Sequence, residues 1–474
     1  MTTEKSHETL EVRAGPWGSD AVTRTQLTNG LELRLAHAIP GELHRVRITH
    51  RSQGGPVVWG KSLELLPGGA PQGRRQGPPC PIHKQCGACG IQHVVDADQL
   101  QLKASSALRV FPAELREALA AESHWPSPGP TFGYRHKAVF LPAIEGGRLL
   151  LGGFKRRSHD VIDLQDCAVL APSLIHAQEE IRSILTPVLT PQPLRIFRPG
   201  SQGRPNNQGA LRSLIMRSNR KGQVVLCAVV SAPQARSWLE PALHALVESS
   251  GPIVGCSMQV FASTGDAVAG PDSGQLVAGI ETIDEQVGSI SVRVQPLSFF
   301  QVNPFALESL VALLSKLALS SSKEVVGLLD LYCGGGVLGL AIASTSGGQV
   351  RLTGVDIDSR AIQNAREDAA RSSVDARFQA GPAATLLRQL LPERGPFDLV
   401  LVDPPRRGLR GEAIEELKAS EAKKILYVSC HGPSLARDSL LLQKAGYRPT
   451  LLMPLDMLPQ TAHLEWIALF SKNG

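Results

Sequence analysis

The chain of 474 residues has no uninterrupted apolar run near the roughly 18 residues that a membrane-crossing helix requires, which excludes a bundle of membrane helices. Its opening, MTTEKSHETL (Met1–Leu10), is too polar for a secretory leader, so the expected compartment is the cytoplasm. Aromatic residues are only 4% of the chain, leaving few rings on which bases might stack. No internal repeat recurs at a fixed period and no long low-complexity tract occurs. Neither charge dominates: 49 Lys and Arg oppose 43 Asp and Glu, and the net +6 permits an anionic partner without requiring one. With 42% hydrophobic and 19% charged residues, a wholly disordered chain is also excluded. At about 150 residues per domain, the length suggests two to four domains.

Cysteine is not scarce. The eight are Cys80, Cys86, Cys89, Cys167, Cys227, Cys256, Cys333 and Cys430, and in a reducing compartment they point to metal or catalytic roles before disulfides. Cys80, Cys86 and Cys89 crowd together between glycines and prolines, a segment poorly suited to a hydrophobic core. Their spacing suits three thiolates around one inorganic centre, with Cys167 as a candidate fourth ligand. His83 and His93 are close enough in sequence to suggest a zinc site instead.

Residues from about Val22 to Leu66 alternate short apolar runs with turn signals and read as a small β-barrel. The Gly-, Pro- and Arg-rich Pro67–Pro81 reads as a linker. From about Gly133 to Ile290 the pattern is strand-like, interrupted by one helical stretch near Leu174–Leu185. After Phe305 strands alternate with helices, beginning with helix Ala306–Leu319 and strand Val325–Leu331, which predicts a parallel, doubly wound sheet.

Leu328–Gly339 (LLDLYCGGGVLG) carries an apolar strand into a glycine turn and a helix, and Asp356 ends the following strand. Glycines allow close backbone approach, the helix N-terminus offers amide donors, and an acid after the second strand suits ribose hydroxyls: the pattern of a nucleotide-type cofactor site. The fourth strand ends in Asp403-Pro404-Pro405, a stiff polar turn of the kind that S-adenosylmethionine enzymes acting on nucleobases place beside the methyl donor. The fifth ends at Cys430. Uracil carbon 5 is a weak nucleophile, and thiolate addition at carbon 6 turns it into an enolate able to attack a methyl electrophile; cysteine suits this because it both attacks and leaves well. A base must then take the carbon 5 proton, and His463 and Glu465 in LPQTAHLE are candidates. Basic residues at Arg74-Arg75, Arg135-His136-Lys137, Lys155-Arg156-Arg157 and Arg406-Arg407, with Phe299-Phe300, are candidates for phosphate and base contacts.

Taken in order, PPCPIHKQCGACGIQH, YRHKAVF, FFQVNP, LLDLYCGGG, VDPPRRG, YVSC and QTAHLE resemble the RNA uracil-5 methyltransferases that carry an iron–sulfur cluster, and the likeness runs over nearly the whole chain. The resemblance implies a multidomain α/β protein: residues 1–75 a TRAM-like, oligonucleotide-binding-type β-barrel, residues 76–295 a central β-rich α+β domain with the cluster, and residues 296–474 a class I, Rossmann-like methyltransferase domain. It implies that Cys80, Cys86, Cys89 and Cys167 hold a [4Fe-4S] cluster, that Gln301, Tyr332, Asp356 and Asp403 bind S-adenosylmethionine, that Cys430 is the nucleophile and that Glu465 is the base. The implied partner is RNA, a single-stranded loop of 23S ribosomal RNA, with no membrane and no obligate protein partner. Val337 and His431-Gly432 replace the asparagine and the asparagine-proline common in such proteins, and Asp356 stands where glutamate is frequent. The rival readings are a transfer-RNA uracil-5 enzyme, an RNA cytosine-5 enzyme using the same thiolate addition, and a non-catalytic iron–sulfur RNA-binding factor.

Overall fold

Alternation of buried and open residues along Glu32–Ala36 and Leu43–Arg51 gives the leading strands one core face each. In the computed structural model, which describes residues 9–472 apart from 19, 70–73, 128, 157, 198–209, 264, 320–325, 395–396 and 410, these strands join a five-stranded sheet. Its order is Thr9–Arg13, Leu43–Arg51, Val57–Leu66, Glu32–Ala36, Val22–Gln26. Val12, Leu33, Leu35, Val46 and Val58 pack together on its inner face. Residues 1–8 of the expected leading module, 70–73 of the expected linker, Arg157 and Val325 lie outside the described residues.

By packing, the chain forms two compact units. The first comprises Met1–His83, Ala88–Pro128 and Gly395–Gly474; the second comprises Lys84–Gly87 and Gly129–Arg394. Besides the leading sheet, the first unit holds the parallel pair Leu399–Val402 and Lys424–Ser429, extended by the antiparallel strands Glu465–Lys472 and Tyr447–Leu455. All four residues of Leu399–Val402 are buried, as befits a strand covered on both faces. Helix Asp96–Ala107 of this unit is amphipathic only weakly, and the sequence reading had not anticipated it.

In the second unit, seven strands run in the order Gln275–Gly279, Ile253–Val260, Val224–Val230, Leu211–Ser218, Lys137–Glu145, Arg148–Phe154, Val161–Asp163. The expected single helix is longer than read, Pro172–Leu189, and a second helix, Arg236–Glu248, joins it in the same core through Leu239, Leu243 and Leu246. The region is therefore less purely strand-built than expected: Pro241, inside that second helix, masks its periodicity. Beyond helix Pro304–Leu319, the strands Val326–Leu331, Val350–Asp356 and Ala376–Ala380 pair in parallel, with helices Val337–Thr345 and Ser359–Arg371 as crossovers. Among the described residues no helix is long and apolar enough to cross a membrane.

Candidate active site

In the second unit, strand Val326–Leu331 breaks at Tyr332, whose φ of 62° is left-handed, and the chain continues through Gly334 and Gly336 at φ of 53° and 73°. A Cβ on Gly336 would sit 2.7 Å from the Phe378 ring, and one on Gly339 would sit 2.6 Å from the Asp330 carboxylate. These two positions admit no side chain, so the turn and the first residues of helix Val337–Thr345 lie flat against the strands. Gly336 occupies the N-cap and has no side chain with which to cap the helix; the Gly339 amide donates to Asp330 Oδ2 at 3.2 Å, so the amides of Val337 and Leu338 are the ones placed to meet a bound group. Asp356 fixes this turn: its Oδ2 accepts from the Gly334 amide at 2.9 Å and its Oδ1 from the Asp358 amide at 2.8 Å. Each carboxylate oxygen keeps a second lone pair for a diol. Val337 is simply the first residue of the helix. Burial and the Asp330 and Asp356 carboxylates push the Cys333 thiol well up, so Cys333 stays neutral beside the turn.

Gln301 stands on the loop before helix Pro304–Leu319, in the same unit. That loop is held by Arg217 and by two residues that the sequence suggested for phosphates, His136 and Lys137. The buried Arg217 donates to the Ser298 carbonyl at 3.1 Å and the Phe300 carbonyl at 3.3 Å, and Lys137 Nζ donates to the Ser298 carbonyl at 3.3 Å. The His136 amide donates to the Val302 carbonyl at 2.8 Å, and the Asn303 side chain accepts from the Phe305 and Ala306 amides to start the helix. His136 and Lys137 are thus supports of the loop, and burial pushes Lys137 down to about 8. Phe299 stays 83% exposed beside Gln301, an open ring face.

The first unit carries the other reactive groups. Lys424–Ser429 pairs antiparallel with Glu465–Lys472, Ser429 opposite Trp466, which puts Cys430 and Glu465 at the same end of the pair. Asp403 follows the neighbouring parallel strand at that end. Glu465 is buried, Cys430 and Asp403 are half-buried, and their charges act on one another. Burial, reinforced by the Asp403 carboxylate and opposed by Arg406, holds the Glu465 carboxyl well above the usual range; burial also raises Asp403. The Cys430 thiol is raised by burial and by the Glu465 and Asp403 charges, while Arg406 lowers it by charge and by a hydrogen bond. The two carboxyls each make the other harder to ionise, and one arginine tempers the thiol.

Arg406, which the sequence offered with Arg407 for phosphate and base contacts, faces Cys430 and lies 3.3 Å from His463 Nδ1, a placement not assigned to it from the sequence. The signal was its position directly after the Asp-Pro-Pro turn. That turn is pinned from behind: Ser434 donates to the Arg406 carbonyl at 2.7 Å, and His431 Nδ1 meets Ser434 Oγ at 2.8 Å. His431, the departure beside Cys430, therefore has a structural task. The buried Asp438 completes the brace, accepting from the Leu409 amide and the Tyr427 hydroxyl, each at 2.7 Å.

Helix Asp96–Ala107 anchors the segment leading to Glu465. Lys103 Nζ, fully buried, donates to Asp456 at 2.6 Å. The Gln460 amide donates to Gln99 Oε1 at 3.0 Å while Gln99 Nε2 donates to Gln460 Oε1 at 2.9 Å. Gln460 has a φ of 68°, a left-handed conformation that this pair of bonds holds in place.

The four cysteines expected to hold a metal group are half-buried thiols, none in a disulfide. Cys80 and Cys89 belong to the first unit, Cys86 and Cys167 to the second. The Cys80 amide donates to the Gln92 side chain at 3.3 Å, and Cys86 bridges to Lys155. As a donor set, four thiols suit a soft centre such as an iron–sulfur cluster or zinc. His83 and His93 face His37.

Comparison with known proteins adds three findings. A family model described as a methyltransferase domain matches residues 322–428. An uncharacterized RNA methyltransferase of Gloeobacter violaceus is 30% identical over 98% of this chain and 96% of its own, and one of Listeria innocua is 31% identical over 83% of this chain and 84% of its own. The crystal structure of the Pyrococcus abyssi tRNA (uracil-54, C5)-methyltransferase in complex with S-adenosyl-L-homocysteine shares the fold, with a TM-score of 0.68 and 21% identity, over 97% of this chain and all of its own.

Proposed function

Because this chain belongs to the RNA methyltransferase family and is a class I methyltransferase by fold, we propose that it methylates carbon 5 of a uridine in 23S ribosomal RNA, through a covalent Cys430 adduct. The observation that carries this reading is the meeting of Cys430, Glu465, Asp403 and Arg406 at one end of adjacent strands.

Gln301, Tyr332, Asp356 and Asp403 bind S-adenosylmethionine, which when bound supplies an electrophilic methyl group. The cradle that Gly336 and Gly339 keep clear and the doubly accepting Asp356 suit such a nucleoside. Arg406 favours the Cys430 thiolate against two acidic neighbours, and the thiolate adds to carbon 6 of the target base. Carbon 5 of the resulting enolate would attack the electrophilic methyl group that the bound S-adenosylmethionine supplies, the methyl–sulfur bond breaking with its electron pair left on the neutral thioether, and the ionised Glu465 then removes the carbon 5 proton. The electron pair of that C–H bond restores the ring double bond and expels the Cys430 thiolate. A carboxyl raised by burial is a stronger base than an exposed one, which suits this step. The base must leave its stack to be reached, so a single-stranded loop is the favoured substrate, gripped by the leading sheet and the central region. Cys80, Cys86, Cys89 and Cys167 hold a [4Fe-4S] cluster outside the chemical steps, and the enzyme is cytoplasmic.

Replacing Cys430 by Ala is expected to abolish transfer of tritiated methyl groups while leaving cofactor binding intact. Turnover by the purified variant would refute the covalent route. Glu465→Gln should retain RNA as a covalent adduct on a denaturing gel. A transfer-RNA substrate is the second reading, favoured by the Pyrococcus abyssi neighbour, a tRNA (uracil-54, C5)-methyltransferase. Mapping 5-methyluridine in ribosomal and transfer RNA from cells lacking the gene separates the two.

A further inference from the structure

Three histidines far apart in sequence meet inside the first unit. His37 follows strand Glu32–Ala36 at the rim of the leading sheet, and His83 and His93 flank the segment that carries Cys86 and Cys89. One ring nitrogen of each lies within 4.8 Å of the others. The ring centroids of His37 are 5.1 Å from those of His83 and 5.7 Å from those of His93. His83 and His93 are each 5% exposed, and both ring nitrogens of His93 are buried without a hydrogen-bond partner. A buried imidazole so placed costs free energy unless something takes its lone pair. His37 is held at a φ of 58°, a conformation unusual outside glycine, and the Arg75 guanidinium fixes it there by donating to its carbonyl at 3.0 Å.

We propose that His37, His83 and His93 form a binding site for a divalent transition-metal ion, zinc foremost, distinct from the cysteine set. Zinc bonds imidazole nitrogens at about 2.0–2.1 Å, which in tetrahedral geometry spaces the nitrogens about 3.4 Å apart. Small side-chain rotations close the observed group to that spacing, and water completes the fourth position. The local charge permits it: Arg75, the nearest cation, is neutralised by Glu42, which lies 2.5 Å from it and also bonds His44 at 3.0 Å. The site ties the leading sheet to the cysteine-bearing segment, two parts that the chain itself joins only through Pro67–Cys80. Its role is structural staple, since two of the three ligands, His83 and His93, are buried and leave little approach for a substrate.

The test uses the full-length protein, purified anaerobically and titrated with Zn2+ alone. Wild type is expected to retain one zinc per chain, with only nitrogen and oxygen neighbours at the zinc X-ray absorption edge, and to melt at a higher temperature than the metal-free chain. His93→Asn and His37→Asn should each lose that equivalent and its thermal gain while keeping iron content and folded circular dichroism. A Cys86→Ser variant serves as control and should keep the histidine-bound zinc. Sulfur in the zinc shell of wild type, or undiminished zinc in the folded histidine variants, overturns the proposal.

Discussion

Replacing Lys103 by Met probes how helix Asp96–Ala107 supports the end of the first unit that carries Cys430 and Glu465. The Lys103 ammonium is fully buried and donates to Asp456 at 2.6 Å and to the Leu458 carbonyl at 3.3 Å, and the Asp456 side chain is only 4% exposed. Removing one member of such a pair strands the other charge away from water, which typically costs about 3–5 kcal/mol. Against a usual domain stability of roughly 5–15 kcal/mol, that is a large share. Removing both together, as Lys103→Met with Asp456→Leu, eliminates the stranded charge and should restore most of the loss, because apolar replacement of a buried ion pair is often close to neutral. Urea unfolding followed by circular dichroism gives the four stabilities of the cycle, with a coupling of about 2–3 kcal/mol expected. Activity should not recover with stability: Asp456 accepts from the Leu458 amide at 3.1 Å and so shapes the segment that leads to Glu465. Single variants that lose less than about 1 kcal/mol, or a cycle that is additive, would show that the pair does not brace this segment.

Three other outcomes follow from the same structure. Glu465 has its carboxyl pKa raised by burial and by Asp403, so its contribution to stability is full below the unfolded value of about 4.3 and is lost as pH rises through the higher folded value. Glu465→Gln should therefore match wild type in melting temperature near pH 4 and exceed it near pH 8; an equal difference at both would refute the assignment. Arg406→Gln removes the charge and hydrogen bond that favour the Cys430 thiolate, so alkylation of Cys430, followed by peptide mass spectrometry, should slow at fixed pH and the acid limb of the activity profile should move to higher pH. Gly336→Ala imposes a positive φ worth about 1–2 kcal/mol on a Cβ residue and drives that Cβ into Phe378, so isothermal titration should show cofactor affinity falling at least tenfold.

Much of the site was legible because its residues sit where local patterns change. Asp403 and Cys430 each follow an all-apolar strand, and the glycine turn follows another, so strand ends could be read directly and the groups assigned to the carboxyl edge. The chemistry named His463 and Glu465 together as candidates and the QTAHLE likeness singled out Glu465, since nothing in a strand that begins Glu-Trp-Ile distinguishes it from a solvated charge. Arg406, His136 and Lys137 were legible as basic residues but not by task. A positive charge in a sequence looks the same whether it meets solvent, a thiol or a carbonyl, and only packing tells which. The helix Arg236–Glu248 escaped notice because Pro241 and a short length blur its periodicity against surrounding strands.

Local order determined which segments are strands, turns and crossover helices, and therefore which chemical groups stand at strand ends; apolar runs and glycines act on their immediate neighbours, and that information is contained in a few consecutive residues. Tertiary structure alone decided that Lys103 would meet Asp456, that Gln99 would meet Gln460, and that His37, His83 and His93 would converge. Those meetings join residues tens to hundreds of positions apart, where chain connectivity imposes almost no constraint and the burial of whole elements selects the partners.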